Sequence, residues 1–186
     1  WKTAGAWPPP ARAVAYYLSA PSGAVPRHGA LTPEPPPGAA PPSVFIADAD
    51  APVTNPYDAA GAHDYRRLAD RSDVLTFDSA PLDRDTEVTG PIRARIYLSC
   101  DCRDTDLWVR LLDVAPDGTA YNLMSPGLDV VRASYRDLAK GRQLLEPGEI
   151  YELRLDHLVT SNLFKRGHRV RAQISASFFP NFSRNL

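Results

Sequence analysis

The sequence of 186 residues contains no run of 18 or more apolar residues and only two cysteines. A helix that spans a bilayer needs about 20 apolar residues, so no transmembrane helix is predicted. Two cysteines exclude a disulfide scaffold. Cys100 and Cys102 lie two positions apart, where an extended strand would point both side chains to one face while the backbone opposes a mutual disulfide. We expect free, structural thiols, and two sulfurs alone do not make a zinc site.

Neither sign of charge is in excess. The chain has 21 Lys and Arg residues against 22 Asp and Glu residues, for a net charge of -1. Such a chain has no general electrostatic attraction to nucleic acid or to an anionic membrane surface, so neither is expected as a partner. The first residues have neither the charged start nor the apolar middle of a signal peptide. A cytoplasmic location is favoured, and whether a signal peptide lies upstream of this chain stays an open question.

Sequence signatures of catalysis are also missing. No G-x-S-x-G elbow occurs, which an α/β-hydrolase needs to expose its nucleophile, and the glycines stand singly rather than in a phosphate-binding loop. The histidines are scattered without metal-ligand spacing: His28, His63, His157 and His168. We therefore predict no catalytic, cofactor-binding or metal-binding residue, and no turnover of activated esters by this chain alone. His168, after Gly167 in a tight turn, is expected to anchor a strand by donating to a carbonyl.

Two clusters of acidic residues are compatible with a calcium site, because that ion prefers oxygen ligands. The clusters are Asp101, Asp104 and Asp106, and Asp83, Asp85 and Glu87. The simpler interpretation is that Asp104 and Asp106 accept hydrogen bonds from backbone donors in a turn before a strand. Basic and acidic residues alternate along the predicted strands. That alternation favours solvated cross-strand pairs over a ligand-binding patch.

Proline is concentrated at the start of the chain, with 13 of the 19 prolines in residues 1–56. Proline denies a sheet the backbone donors that it needs, so residues 1–71 are predicted to be an extended connector. Strands are expected within "AVAYYLSA" and around "SVFI". The connector is expected to wrap over another surface rather than to build a core. Residues 20–43 are expected to be mobile or irregular.

From residue 72 onward the dominant pattern is an alternation of apolar and polar residues, which is typical of strands in a sandwich. It recurs in "EVTGPIRARIYLSC", "DLWVRLLDV", "IYELRLDHL" and "RVRAQISAS", with Pro-Gly, Pro-Asp-Gly and Gly-His turn signals between them. Short helical stretches are expected only around "HDYRRLADR" and "YRDLAKG". The prediction is an all-β, antiparallel jelly-roll β-sandwich of seven or eight strands with its core in residues 72–186, forming one structural domain with the lead-in.

A set of linked phrases carries a family resemblance. "RSDVLTFDSAPLDRDTEVTGP", "DVAPDGTAYNL", "LLEPGEIYEL", "TSNLFKRGHRVRAQIS" and "FPNFSRN" run through residues 72–185 in order. The sequence resembles the C-terminal domain of the cocaine-esterase-like (CocE/NonD) and X-prolyl dipeptidyl-peptidase serine hydrolases. The opening "WKTAGAWPPPARAVAYYLS" is similar to the stretch where that family leaves its α/β-hydrolase domain.

The resemblance implies a galactose-binding-domain-like jelly roll and an upstream α/β-hydrolase domain that holds the catalytic triad. It implies hydrolysis of an ester or amide bond of a small-molecule substrate by the whole protein, and a chain cut at both ends. Family members usually carry a polar residue where this chain has Phe178. Whether the protein forms a homo-oligomer stays an open question.

The chain closes on an aromatic loop, "SFFPNFSRN", whose three phenylalanines exceed what one turn usually buries. Rigid aromatic groups with a polar rim are typical of interface centres. We expect the loop to contact the upstream domain or to line its substrate pocket, through Phe178, Phe179, Asn181, Phe182 and Arg184. The alternative is that all three rings fold back into the sandwich. A carbohydrate-binding jelly-roll module is the alternative function, on fold analogy alone.

Overall fold

The computed structural model describes residues 3–19, 28–38, 41–123 and 127–184. Nine strands occur in these ranges: β1 Tyr17–Ser19, β2 His28–Thr32, β3 Leu75–Asp78, β4 Thr86–Leu98, β5 Asp106–Val114, β6 Ala120–Asn122, β7 Leu128–Arg132, β8 Tyr151–Phe164 and β9 Arg169–Ser175. Of three short 3₁₀ helices, Arg66–Asp70 and Leu138–Lys140 fall in the two predicted stretches, and Ala133–Tyr135 ends at the first residue of the second stretch. None of the helices in these ranges has the length and apolar character needed to cross a bilayer.

The strands form two sheets. The large sheet has the order β1-β2-β3-β9-β5-β6, and β7 pairs with the same edge of β5 as β6 does. The small sheet consists of the two long strands β4 and β8, paired antiparallel from Thr86 with Phe164 to Leu98 with Tyr151. All pairs are antiparallel except β2 with β3. The predicted all-β sandwich is confirmed, and the galactose-binding-like jelly roll within that class stays a prediction.

The main core lies between the two sheets. It is built by the apolar positions of the alternating pattern, because successive side chains of a strand point to opposite faces. On β4 the arginines and Tyr97 are exposed while their apolar neighbours face inward, as predicted. The buried residues of this core are Leu31, Leu75, Phe77, Leu107, Val109, Ala133, Leu145, Leu153, Leu155, Ala172 and Ile174.

Strand β5 is buried on both faces, which the alternation did not predict. Its second face carries Trp108, Leu112 and Val114, and these residues form a second core with apolar residues of the lead-in. The expectation that residues 1–71 build no core was therefore wrong. The lead-in residues wrap over the large sheet and also supply part of its packing: Val53, Tyr65, Leu68 and Ala69.

Backbone pairing fastens the lead-in to the edge strand β6. The amide of Tyr65 donates to the carbonyl of Ala120 at 2.8 Å, and Asp64 forms an isolated bridge with Tyr121. The carboxylate of Asp64 accepts the amide of Ala120 at 2.9 Å and the amide of Arg66 at 3.1 Å. Burial raises the pKa of Asp64, but these backbone donors and the Arg66 guanidinium outweigh it, so the net pKa is lowered.

Two local predictions for the lead-in were wrong. Residues 28–32 form β2, although the stretch 20–43 was expected to be irregular; residues 20–27 and 39–40 lie outside the described part. Conversely, no strand forms around "SVFI", where Phe45 only packs its side chain against the main core. Strand β2 contains Gly29, where a Cβ would overlap the ring of Phe77 and the carbonyl oxygen of Ser19. That close approach requires glycine.

A bulge in β8 resets the alternation halfway along the strand. Leu155 pairs with Ala94 and Leu158 pairs with Ile92, so β8 has one residue more than β4 between these pairs. The buried positions accordingly shift from Leu153 and Leu155 to Leu158. At the bulge the carboxylate of Asp129 accepts the amide of His157 at 2.8 Å and lies 3.1 Å from its Nδ1. This contact links the small sheet to β7.

Candidate interdomain surface

The aromatic loop begins directly after β9 and is anchored by Phe178. This residue has 0% exposure and belongs to the second core. Its ring lies 5.8 Å from the ring of Trp108 and 6.4 Å from that of Tyr65. The indole Nε1 of Trp108 also donates to the carbonyl of Ser177 at 2.7 Å. The first turn of the loop is therefore held by the interior of its own domain.

A buried arginine lies under this anchor. Arg110 of β5 has 0% exposure, and its guanidinium carbon is 3.9 Å from the ring centroid of Tyr65 and 4.5 Å from that of Phe178. Stacking on aromatic faces stabilises a guanidinium that burial removes from water. Burial lowers the pKa of Arg110 to about 10, against a smaller opposing effect of Tyr65. The group stays cationic at neutral pH.

The part of the loop beyond Phe178 faces outward. Phe179 is 42% exposed, although its backbone is fixed: its amide donates to the carbonyl of Val53, and its carbonyl accepts the amide of Asn55, both at 2.8 Å. The exposed Asn181 accepts the Nδ2 amide of Asn55 at 3.1 Å. The backbone of this exposed aromatic residue is thus held in place by the lead-in.

The other two predicted residues close the loop. Phe182 is half-buried against the second core, and its amide donates to the carbonyl of Phe178 at 3.0 Å. Arg184 is exposed, with Nη1 donating to the carbonyl of Ala49 at 3.1 Å and lying 3.8 Å from Asp50. All five predicted residues therefore lie in one loop, but Phe178 has no surface for a partner domain, which corrects its assignment as a contact residue.

Sequence reasoning missed the second half of this surface. The lead-in segment 49–57 lies beside the loop, and Thr54 forms a parallel bridge with Phe179. The amide of Val53 also donates to the hydroxyl of Ser177 at 3.0 Å. The only available signal was the apolar Val53 within a proline-rich stretch. We call five residues of the two segments the docking surface: the half-buried Asn55 and the exposed Thr54, Phe179, Asn181 and Arg184.

Three carboxylates of the acidic groups considered for calcium have partners within the protein: Asp85, Asp104 and Asp106. Asp104 accepts the amides of Thr105 and Ser134, both at 3.0 Å, so its predicted turn role is confirmed. Asp106 instead makes a bidentate pair with Arg132, with both N–O distances at 2.8 Å. Within the described ranges, no three His, Cys, Asp or Glu side chains converge as a metal site would require.

The predicted anchoring role of His168 takes a different form. Its Nδ1 lies 2.7 Å from a carboxylate oxygen of Asp113 on β5, rather than beside a carbonyl. Its backbone carbonyl accepts the amide of Leu82 at 2.8 Å. Cross-strand pairing on the outer face of the small sheet is as expected, since Arg95 and Tyr97 of β4 both contact Glu152 of β8. Arg154 pairs with the same carboxylate along β8.

By its fold, this chain is an all-β sandwich domain in which Phe178 anchors an aromatic loop after β9. The chain belongs to the family described as the X-Pro dipeptidyl-peptidase C-terminal non-catalytic domain, whose sequence profile matches residues 1–186. Cocaine esterase of Rhodococcus sp. (strain MB1 Bresler) is 43% identical over 125 residues, which cover 67% of this chain and 21% of the esterase. The resemblance found in the sequence is confirmed.

Solved structures of similar fold agree with this assignment. An aminopeptidase from a marine sediment Thaumarchaeota archaeon matches with a TM-score of 0.79 at 28% identity, covering 97% of this chain and 32% of that one. An α-amino acid ester hydrolase matches with a TM-score of 0.76 at 24% identity, covering 91% of this chain and 30% of that one, and shows the fold alone. The chain thus spans between 21% and 32% of the length of these relatives.

Proposed function

We propose that this chain is the non-catalytic accessory domain of a serine acyl hydrolase, and that its docking surface contacts an α/β-hydrolase domain upstream in the same polypeptide. The whole protein would cleave an ester or amide bond of a small-molecule substrate. The observation that carries the proposal is the difference in exposure between two adjacent phenylalanines. Phe178 is fully buried, whereas Phe179 is 42% exposed and stands on a fixed backbone.

The physical argument concerns the cost of ordering. A side chain that is already held in place loses little conformational entropy when a partner covers it, so more of the burial energy remains for binding. Phe179 stands on backbone bonded to Val53 and Asn55, while Asn181 and Arg184 supply a polar rim. An aromatic centre within a polar rim is the usual arrangement of an interface. Covering the catalytic domain in this way would exclude water and form one wall of its substrate pocket.

The test uses the intact hydrolase that contains this chain. Hydrogen exchange of residues 177–184 should be at least tenfold slower in the intact protein than in the 186-residue chain alone. The substitution Phe179→Ser should lower kcat/KM for an activated ester about 10-fold or more, since an interface hot spot is worth about 2 kcal/mol. Equal exchange rates in the two proteins would contradict the proposal.

Leu163→Ser is the matched control. Leu163 is 46% exposed, close to the value for Phe179, but it lies on the small sheet away from the docking surface. This variant should keep kcat/KM within about twofold, as exposed sites generally do. If both variants lose the same activity, the effect is not specific to the docking surface.

The carbohydrate-binding module stays the alternative function. Calorimetric titration of the chain with a panel of glycans distinguishes it, because a dedicated module should bind one of them with a Kd of about 1 mM or tighter. The accessory-domain proposal expects no such binding.

A further inference from the structure

The two cysteines are in direct contact, outside any strand. Strand β4 ends at Leu98, and the chain bends at residues 101–103. The Sγ of Cys102 lies 3.0 Å from the Sγ of Cys100 and donates its S–H to it, while Cys100 donates its own S–H to the carbonyl of Cys102. Both thiols are free and half-buried. They are the only cysteines of the chain.

The bend removes the geometric objection that held for an extended strand. In an extended chain the Cα atoms of such residues are about 6.6 Å apart, at the upper limit of the disulfide range of about 4.4–6.8 Å. At residues 101–103 the chain bends and is no longer extended. With the sulfurs at 3.0 Å, a further approach of about 1 Å would reach the length of an S–S bond.

We infer that Cys100 and Cys102 form a peroxide-reactive dithiol site, which a hydroperoxide converts into a disulfide within the loop. In the first step the Cys100 sulfur attacks the peroxide, the O–O bond breaks, and Cys100 sulfenic acid and water form. In the second step the Cys102 sulfur attacks the sulfenic sulfur, the S–S bond forms, the S–O bond breaks and a second water leaves. Two thiols and one hydrogen peroxide give one disulfide and two waters.

The environment of the two sulfurs gives the order of these steps. Burial, followed by the hydrogen bond to Cys100, raises the pKa of Cys102 to about 11. Cys100 is the sulfur that accepts the hydrogen bond from Cys102, and a hydrogen bond donated to a sulfur supports its charged, nucleophilic form. The geometry therefore assigns the first attack to Cys100. Cys102 then acts as the resolving thiol, because it is already in contact with the oxidised sulfur.

The site would act on a loop that supports the connection between β7 and β8. The carbonyl of Cys100 accepts the amide of Gly148 at 2.9 Å, and the carbonyl of Arg103 accepts the amide of Leu145 at 2.8 Å. Leu145 is itself buried in the main core. Closing the disulfide would fasten the loop on which these two contacts depend.

The test is mass spectrometry of the 186-residue chain treated with hydrogen peroxide. The expected product is the monomer lighter by about 2 Da, for the two hydrogens lost on disulfide formation. It should carry no thiol that reacts after denaturation, and a reductant should restore both thiols. Two other products would overturn the inference: separate oxygen adducts on the two cysteines, or dimers linked between chains. This test needs no variant of the protein.

Serine variants test the order of the steps. In Cys102→Ser the Cys100 sulfenic acid has no resolving thiol, so dimedone should trap it at least tenfold more than in the unchanged chain. Cys100→Ser should react with peroxide at least tenfold more slowly than Cys102→Ser. Equal trapping in the unchanged chain and in Cys102→Ser would show that Cys102 does not resolve the sulfenic acid and would overturn the site as described.

Discussion

Replacing Phe178 by alanine should destabilise the domain far more than the same change at the neighbouring Phe179. Truncating a fully buried phenylalanine costs about 3–5 kcal/mol, because transfer energy is lost and a cavity remains. Phe178 has 0% exposure, packs edge to face on Trp108 and lies 4.5 Å from the guanidinium of Arg110. The aromatic pair alone is worth about 0.5–1.5 kcal/mol. We therefore expect a loss of about 4–5 kcal/mol.

The assay is urea unfolding of the 186-residue chain, followed by circular dichroism and extrapolated to water. A loss of about 4–5 kcal/mol corresponds to a fall in Tm of about 8–20 °C for a domain of this size. Phe179→Ala is the internal control, and it should cost less than about 1 kcal/mol because its ring is largely exposed. A loss below about 1.5 kcal/mol for Phe178→Ala, or equal losses for the two variants, would refute the assignment of Phe178 as the anchor.

Three further predictions concern the lead-in and the large sheet. Asp64→Asn should lower the free energy of unfolding at pH 7 by about 1 kcal/mol, because the bonds that this side chain accepts from two backbone amides lose their charge assistance. The folded-state pKa of Asp64 is lowered from its ordinary value of 3.8. The stability that this carboxylate contributes is therefore present above pH 3.8 and is lost as the pH falls through the folded-state pKa. A loss of stability in Asp64→Asn that is as large at pH 2.5 as at pH 7 would contradict this. Gly29→Ala should cost more than about 2 kcal/mol in the same assay, since the new Cβ would overlap Phe77 and Ser19, whereas Gly5→Ala, with nothing within 4 Å, should be neutral. Arg132→Ala leaves the carboxylate of Asp106 buried without its bidentate partner and should cost about 2 kcal/mol, most of which the added Asp106→Asn should restore in a double-mutant cycle.

The strands that the sequence predicted well are those whose pattern is local. Alternation in β4, β5, β8 and β9 reflects the pleat of a single strand, so a window of about ten residues contains the signal. The reset of β8 at His157 was not predicted, because a bulge depends on which residues of the partner strand lie opposite.

The predictions that failed depended on contacts between distant parts of the chain. Val53 lies in a proline-rich stretch, and its burial becomes evident only when Phe178, more than 120 positions later, is placed beside it. Arg110 occupies the polar position of an alternating strand, which normally faces water. The aromatic rings that cover it come from two other segments. For the same reason the burial of Phe178 was not predicted, although the loop that contains it was singled out.

The position of β9 has a consequence for how the chain folds during synthesis. β9 is the last of the nine described strands in chain order, yet it lies between β3 and β5 in the large sheet and pairs with both. Until residues 169–175 have left the ribosome, the two halves of that sheet have no common partner, and their apolar faces stay open. Contacts between residues so far apart in sequence also form slowly. The large sheet should therefore be completed only after residues 169–175 have been translated, whereas a domain encoded upstream is free to fold earlier.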